Sequence, residues 1–178
     1  MNIPYNIEYT IGEDLREVPT SKEEMKLAIL FLEEKEKVTE DLTKILGLKG
    51  ELQRIIGDSK KSVSTLKEAL KISNDEKNRV ANKLRLAIAF HFDGQMKKAD
   101  ALFLELIQIC LNNEDTHSYL DFVFQHRGKY LLQCGDIKEA KNCFEKAMKL
   151  RLKKGNHSLI NSTKVCLSKI KSFPIHID

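Results

Sequence analysis

The side chains of this sequence best suited to chemistry are four cysteines and five histidines. The cysteines are Cys110, Cys134, Cys143 and Cys166, and no two of them form a C-x-x-C pair. Zinc sites use ligands at short, regular spacing, so this arrangement disfavours a metal centre. A nucleophilic cysteine would need a histidine base whose position the sequence does not fix. We therefore expect the cysteines to be free thiols buried in the core or between helices.

The motifs of common enzyme classes are missing from the sequence. It has no glycine-rich phosphate loop, no H-E-x-x-H, no G-x-S-x-G and no paired-carboxylate signature. The sequence therefore predicts a protein that is not an enzyme and has no cofactor. Its function is expected to depend on a surface that binds another molecule.

Composition predicts the elements that form such a surface. The chain has 178 residues, enough for one domain with a continuous core, and residues 20–173 contain no proline. A Leu-, Lys-, Glu- and Ala-rich stretch of that length predicts an all-α fold, here with about eight helices. No apolar run approaches the roughly 18 residues of a membrane span, and the first ten residues do not resemble a secretory signal. We expect a cytoplasmic protein that does not enter a membrane.

Three segments are predicted: an N-terminal tail at 1–20 that is extended or disordered, a helical domain at 21–172, and a C-terminal tail at 173–178. Apolar residues occupy every second position from Ile3 to Ile11, a spacing typical of a β-strand. Phe173, Ile175 and Ile177 alternate in the same way. One hypothesis is that the tails pair with each other or dock in a groove, within one copy or between copies. Disorder of both tails is an equal alternative.

Charge is unevenly distributed along the chain. Residues 1–41 contain eleven acidic and five basic side chains, whereas residues 146–171 contain eight basic and no acidic ones. The simplest interpretation is solvated helix faces. Other hypotheses are an acidic partner at the basic end and a homodimer formed through the tails or the oppositely charged ends. Nucleic acid is disfavoured as a partner, because few aromatic side chains lie near the basic end for base stacking.

The clearest internal pattern runs from Phe124 to Ala147. It reads F-x3-G-x2-L and then G-D-x3-A-x3-F-x2-A, which predicts two antiparallel helices joined at Gly135. The pattern recurs 41 residues earlier and again a further 37 residues earlier. The equivalent turn glycines there are Gly94 and Gly57, and the small residues equivalent to Gly128 are Ala87 and Gly50.

This pattern resembles the tetratricopeptide repeat family over roughly residues 22–172. The resemblance implies three two-helix units, with a lone helix before and after them, stacked as antiparallel pairs into an α-α superhelix. The usual tryptophan is replaced by Phe124, Lys83 and Leu46, and the closing proline is missing. Spacings above the usual 34 residues are similar to the longer repeats of kinesin light chains and of bacterial peptide-responsive regulators.

The resemblance also implies where function lies, because first helices of successive units line a concave groove in this family. A protein or peptide is the expected partner of that groove. The subtype that grips a C-terminal carboxylate is not expected, since Lys and Asn would be needed where Gly47 and Glu51, or Leu84 and Ile88, stand. An alternative is a sensory or regulatory protein that binds a signalling peptide or a regulator protein. The implied groove residues are Lys44, Glu51, Arg54, Leu84, Ile88, His91, Phe122, Gln125, Lys129 and Gln133.

Overall fold

The computed structural model describes residues 2–38 and 41–171, apart from the side chain of residue 171. Over these residues the chain forms nine helices and one short β-hairpin. The predicted all-α fold of antiparallel helix pairs is confirmed. There is one more helix than the eight predicted, because Glu114–His117 forms a separate turn of helix. The helices are α1 (Lys22–Glu36), α2 (Leu42–Ile55), α3 (Ser59–Lys71), α4 (Glu76–Phe92), α5 (Met96–Asn112), α6 (Glu114–His117), α7 (Leu120–Gln133), α8 (Ile137–Lys154) and α9 (His157–Lys171).

The helices divide into two compact units, Met1–Leu102 and Phe103–Asp178. In the first unit α1 packs on α2, α2 on α3 and α3 on α4, and α2 also contacts α4. In the second unit α8 packs on both α7 and α9, and α7 also contacts α9. Helices α1–α4 and α7–α9 thus pack against their neighbours along the chain, as stacked repeats do.

One apolar cluster joins α1 to α2. Met25, Ala28 and Leu32 of α1 are fully buried there against Ile45 and Leu52 of α2. The partly buried Ile3, Tyr5 and Ile7 pack against the same cluster. The start of the chain is therefore held on the first unit by apolar contacts.

The rest of the N-terminal segment forms the hairpin. Strand β1 (Tyr9–Ile11) pairs antiparallel with β2 (Glu17–Pro19), and Thr10 lies opposite Val18. Strand structure is shorter than the predicted alternation, because the apolar residues before Tyr9 pack on helices instead of pairing. The C-terminal tail at 173–178 lies outside the described residues, so its pairing and the predicted domain bounds stay predictions.

The three helix pairs share one kind of turn. In each, a glycine in the left-handed conformation follows the first helix, and the next residue donates its N–H to a carbonyl five residues earlier. The glycines are Gly57, Gly94 and Gly135, with φ of +94°, +77° and +83°. The hydrogen bonds join Asp58 to Gln53, Gln95 to Phe90 and Asp136 to Leu131, at 2.8, 2.9 and 3.0 Å. The predicted repeat of the turn is thus present in all three places.

Paired helices approach closely where the first helix has no side chain. A methyl group at Gly128 would lie 2.6 Å from Cε1 of Phe144, and one at Gly50 would lie 2.5 Å from Cγ of Leu66. Both phenylalanine and leucine are fully buried. The predicted packing role of these two glycines follows from the contact, since neither neighbour has free space to move into.

Substitution of Gly128 by alanine is expected to lower the free energy of unfolding by about 1–3 kcal/mol, because the methyl must displace a rigid ring. The variant Phe144→Leu removes that ring edge. The double variant should therefore lose less stability than the sum of the two single losses. Urea unfolding followed by circular dichroism measures the free energy of unfolding of the two single variants and the double variant against wild type. Strictly additive losses of unfolding free energy would show that the Phe144 ring does not require a glycine at position 128.

Candidate partner-binding surfaces

In the first unit, α2 and α4 lie side by side as the first helices of successive pairs. They come close because Gly47 has no side chain; a methyl there would lie 2.2 Å from Oδ1 of Asn82. Nearby, Nε of Arg85 donates to Oε2 of Glu51 at 2.8 Å, and both side chains are about one-third exposed. Glu51, a predicted groove residue, thus bridges the two helices at a partly open surface.

Arg54, another predicted groove residue, lies near the end of α2. Its Nη1 donates to Oε2 of Glu17 at 2.7 Å, and each side chain is only 5% exposed. Glu17 is the first residue of β2. The guanidinium group is therefore covered by a carboxylate from the chain's own N-terminal hairpin.

An aromatic ring supports this ion pair. The guanidinium carbon of Arg54 lies 5.2 Å from the ring centroid of Phe92, and that of Arg16 lies 5.0 Å from it. The ring of His91 stacks on Phe92 at 4.7 Å with an interplanar angle of 20°. Such contacts favour a cation at the ring and hold its orientation. Glu51, Arg54, Arg85 and Phe92 are referred to below as the Arg54 face.

The remaining predicted residues of the first unit differ in accessibility. Leu84, Ile88 and His91 are buried, with 7%, 5% and 3% exposure. Lys44 is exposed, and its hydrogen bond to the Asp41 carboxylate raises the pKa of the ammonium group. Lys44 therefore stays charged at neutral pH. The assignment of all four residues to partner binding stays a prediction.

In the second unit a buried ionic network joins α7, α8 and α9. Asp121 of α7 is fully buried and accepts from Nε of Arg151 at 3.0 Å and from Lys154. Arg151, itself 2% exposed, donates from Nη1 to Oγ1 of Thr163 at 2.8 Å and to the carbonyl of Leu159 at 3.0 Å. A fully bonded buried network fixes the relative position of its helices. Its role is in packing.

The predicted residues of α7 differ in what they contact and in their exposure. The ring of Phe122 lies 5.4 Å from the Arg151 guanidinium and 5.2 Å from the Lys154 ammonium. Gln125 is buried and its Nε2 lies 3.1 Å from Sγ of Cys166 on α9. Lys129 is also buried, whereas Gln133 is exposed. The helix α9 thus covers Gln125, and the partner-binding role of these residues stays a prediction.

All four cysteines are free, but one lies outside the core. Cys110, Cys143 and Cys166 are buried as predicted, whereas Cys134 is exposed. The prediction is wrong for Cys134 because it ends α7 next to the turn glycine. Burial raises the pKa of the Cys143 thiol, although the guanidinium of Arg127, 3.8 Å away, acts in the opposite direction. In residues 2–38 and 41–171, no group of three or more His, Cys, Asp or Glu could hold a metal ion.

Several residues of the Arg54 face were not predicted from the sequence. Phe92 and Arg85 lie on the predicted helix α4 but not at the positions that the repeat assigns to the groove. Arg16 and Glu17, which contact this face from the hairpin, lie outside the repeats altogether. The excess of acid in residues 1–41 was the one signal for an ionic contact, and it does not indicate which cation is bound.

Two stretches of the chain, residues 43–76 and 123–154, match the tetratricopeptide repeat model. The first covers almost all of α2 and α3, and the second covers most of α7 and all of α8. The chain therefore carries tetratricopeptide repeats at these two places. The matches do not distinguish the long-repeat subtype, which stays a prediction. No curated protein and no solved structure matches this chain.

Tetratricopeptide repeats indicate a scaffold for protein–protein interaction. The turns and glycine contacts described above agree with that assignment, since they build the antiparallel helix pairs of such repeats. None of the helices in the described part of this repeat protein is long and apolar enough to span a membrane.

Alkylation of the native protein with iodoacetamide near neutral pH is expected to modify Cys134 first. Its side chain is exposed, whereas burial holds the Cys143 thiol protonated and shields the other two cysteines. Intact mass and peptide mapping should give a single rapid adduct, and a denatured control should give four. Rapid modification of Cys143 in the native protein would contradict its described burial.

Proposed function

We propose that this tetratricopeptide repeat protein is a non-catalytic scaffold that binds a protein or peptide through the first helices of its repeats, foremost through the Arg54 face. One observation carries the proposal. A strand of the chain itself, β2, already lies against this face and places the Glu17 carboxylate 2.7 Å from Arg54. A surface that holds one extended segment by a charge and a ring is suited to hold another.

The mechanism is selection by shape and by a few charges, without bond chemistry. The Glu51–Arg85 pair is partly exposed, so a partner can reach its charges at the edge of the face. Arg54 lies deeper, against Phe92. A partner segment would contact the outer pair first and then place a side chain in the inner position.

The sensory or regulatory role is the second candidate. The same observation favours it, because a face covered by a segment of its own chain has a covered and an uncovered state. Binding of a signalling peptide or regulator protein would then change which state is populated.

The experiment compares two arginines of α4 that each pair with a glutamate. Arg85 pairs with Glu51 on the Arg54 face, whereas Arg79 pairs with Glu76 in the first turn of the helix. Affinity capture from the native lysate uses the tagged wild type, Arg85→Gln and Arg79→Gln, with quantitative mass spectrometry. A genuine partner should be recovered equally well with Arg79→Gln and with wild type. Its recovery with Arg85→Gln should be roughly tenfold lower, which corresponds to a loss of about 1.4 kcal/mol of binding free energy.

Equal recovery by both variants would overturn the assignment of the partner to the Arg54 face. A wild-type chain that captures nothing above a tag-only control would overturn the scaffold function itself. Thermal unfolding of each variant serves as the control that the fold is retained.

A further inference from the structure

The hairpin places an anion on the first unit at a site that requires one. Arg54 and Glu17 are 37 residues apart in sequence, yet their side chains meet at 2.7 Å with 5% exposure each. Removing one partner of such a pair leaves a buried charge without compensation. The position opposite Arg54 therefore favours a carboxylate over a neutral or basic side chain.

The receptor side of this contact is rigidly held. Arg54 lies against the face of Phe92, and Phe92 is in turn stacked with the adjacent His91. A planar guanidinium fixed in this way presents its N–H groups in one direction, which suits a carboxylate. These groups belong to α2 and α4, which pack on each other independently of the hairpin.

The hairpin side is lightly held. Of residues 8–20, all of which the structure describes, Leu15 and Glu17 alone are buried. Its strands have three residues each, and two-stranded hairpins are marginal without other support. Leu15 adopts φ of +64°, a left-handed conformation that disfavours residues other than glycine. Beyond the Glu17 ion pair and the Arg16 contact with Phe92, an element with so little burial and a strained residue has few contacts that hold it on the helices.

Both ends of the hairpin are anchored separately. Before it, Ile3, Tyr5 and Ile7 pack against the α1–α2 core, and the N–H of Asn6 donates to Glu24 at 3.2 Å. After it, Ser21 caps α1. The hairpin can therefore leave the Arg54 face while staying tethered beside it, where its high effective concentration lets it return.

We propose that β2 is an internal ligand of the Arg54 face, and that an extended acidic peptide segment of a partner protein displaces it by placing its own glutamate or aspartate on Arg54. This inference rests on the proposed scaffold function and specifies the partner's chemistry. It differs from recognition of a C-terminal carboxylate, because Glu17 presents a side-chain carboxylate from within a strand. Release of Glu17 leaves Arg54 without its anion, which selects acidic segments over neutral ones.

The test uses the full chain and a labelled peptide with the sequence of residues 8–20. The chain variant Glu17→Gln removes the internal carboxylate with little change of shape. The matched control Glu13→Gln removes the same charge at an exposed position of the same hairpin. Glu17→Gln should bind the peptide roughly tenfold more tightly than wild type or Glu13→Gln, because the competing hairpin is released. A peptide carrying Glu17→Gln should lose binding to every chain.

Equal affinities for Glu17→Gln and Glu13→Gln, or equal binding of the acidic and amide peptides, would overturn the proposal. A second measurement on wild type does not depend on a variant. Excess peptide should speed hydrogen exchange at the amides of Gly12 and Leu15, which are bonded within the hairpin at 2.8 and 3.0 Å. Unchanged protection there at saturating peptide would overturn the proposal even if the peptide binds elsewhere. If the captured partner depends on Arg85 but the peptide experiments fail, the internal-ligand proposal is wrong and the scaffold function is still supported.

Discussion

The close approach of helices at residues without side chains is the constraint on which the rest of this chain depends. Gly50 admits Leu66 and Gly128 admits Phe144, so each first helix lies tightly against its second helix. Gly47 does the same between α2 and α4, where it admits Asn82. Because these helices cannot bury their apolar stripes alone, the contacts determine which faces are covered and which stay available. The Arg54 face is a consequence of that arrangement.

Burial of Arg54 then sets the chemistry of the first unit. A guanidinium group at 5% exposure has lost most of its hydration and needs an anion nearby. The structure supplies Glu17 from a segment outside the repeats, and Phe92 holds the cation in position. In the second unit the buried guanidinium of Arg151 is neutralised from within the helices, by Asp121 of α7. The anion of the first unit thus comes from outside its helices, whereas that of the second unit comes from within them.

The sequence predicts the parts of this structure that are local and repeated. The turn at Gly135, its copies at Gly57 and Gly94, and the small residues of the first helices follow from spacing alone, because each contact lies within one helix pair. The Glu17–Arg54 and Asp121–Arg151 pairs could not be predicted, since they join residues 30 or more positions apart with no period. The alternation from Ile3 to Ile11 also did not reveal that its first half packs on helices and its second half pairs with residues 17–19.

A double-mutant cycle between Glu17 and Arg54 tests the central claim most directly. The free energy of unfolding is measured for wild type, Glu17→Gln, Arg54→Met and the double variant; methionine retains much of the apolar packing of the arginine stem. If the pair holds the hairpin, the double variant should lose less free energy of unfolding than the sum of the losses of the two single variants. The difference, which is the coupling energy of the pair, should exceed about 1 kcal/mol. Losses that add to within about 0.3–0.5 kcal/mol would show that the two charges do not depend on each other, and would contradict this account.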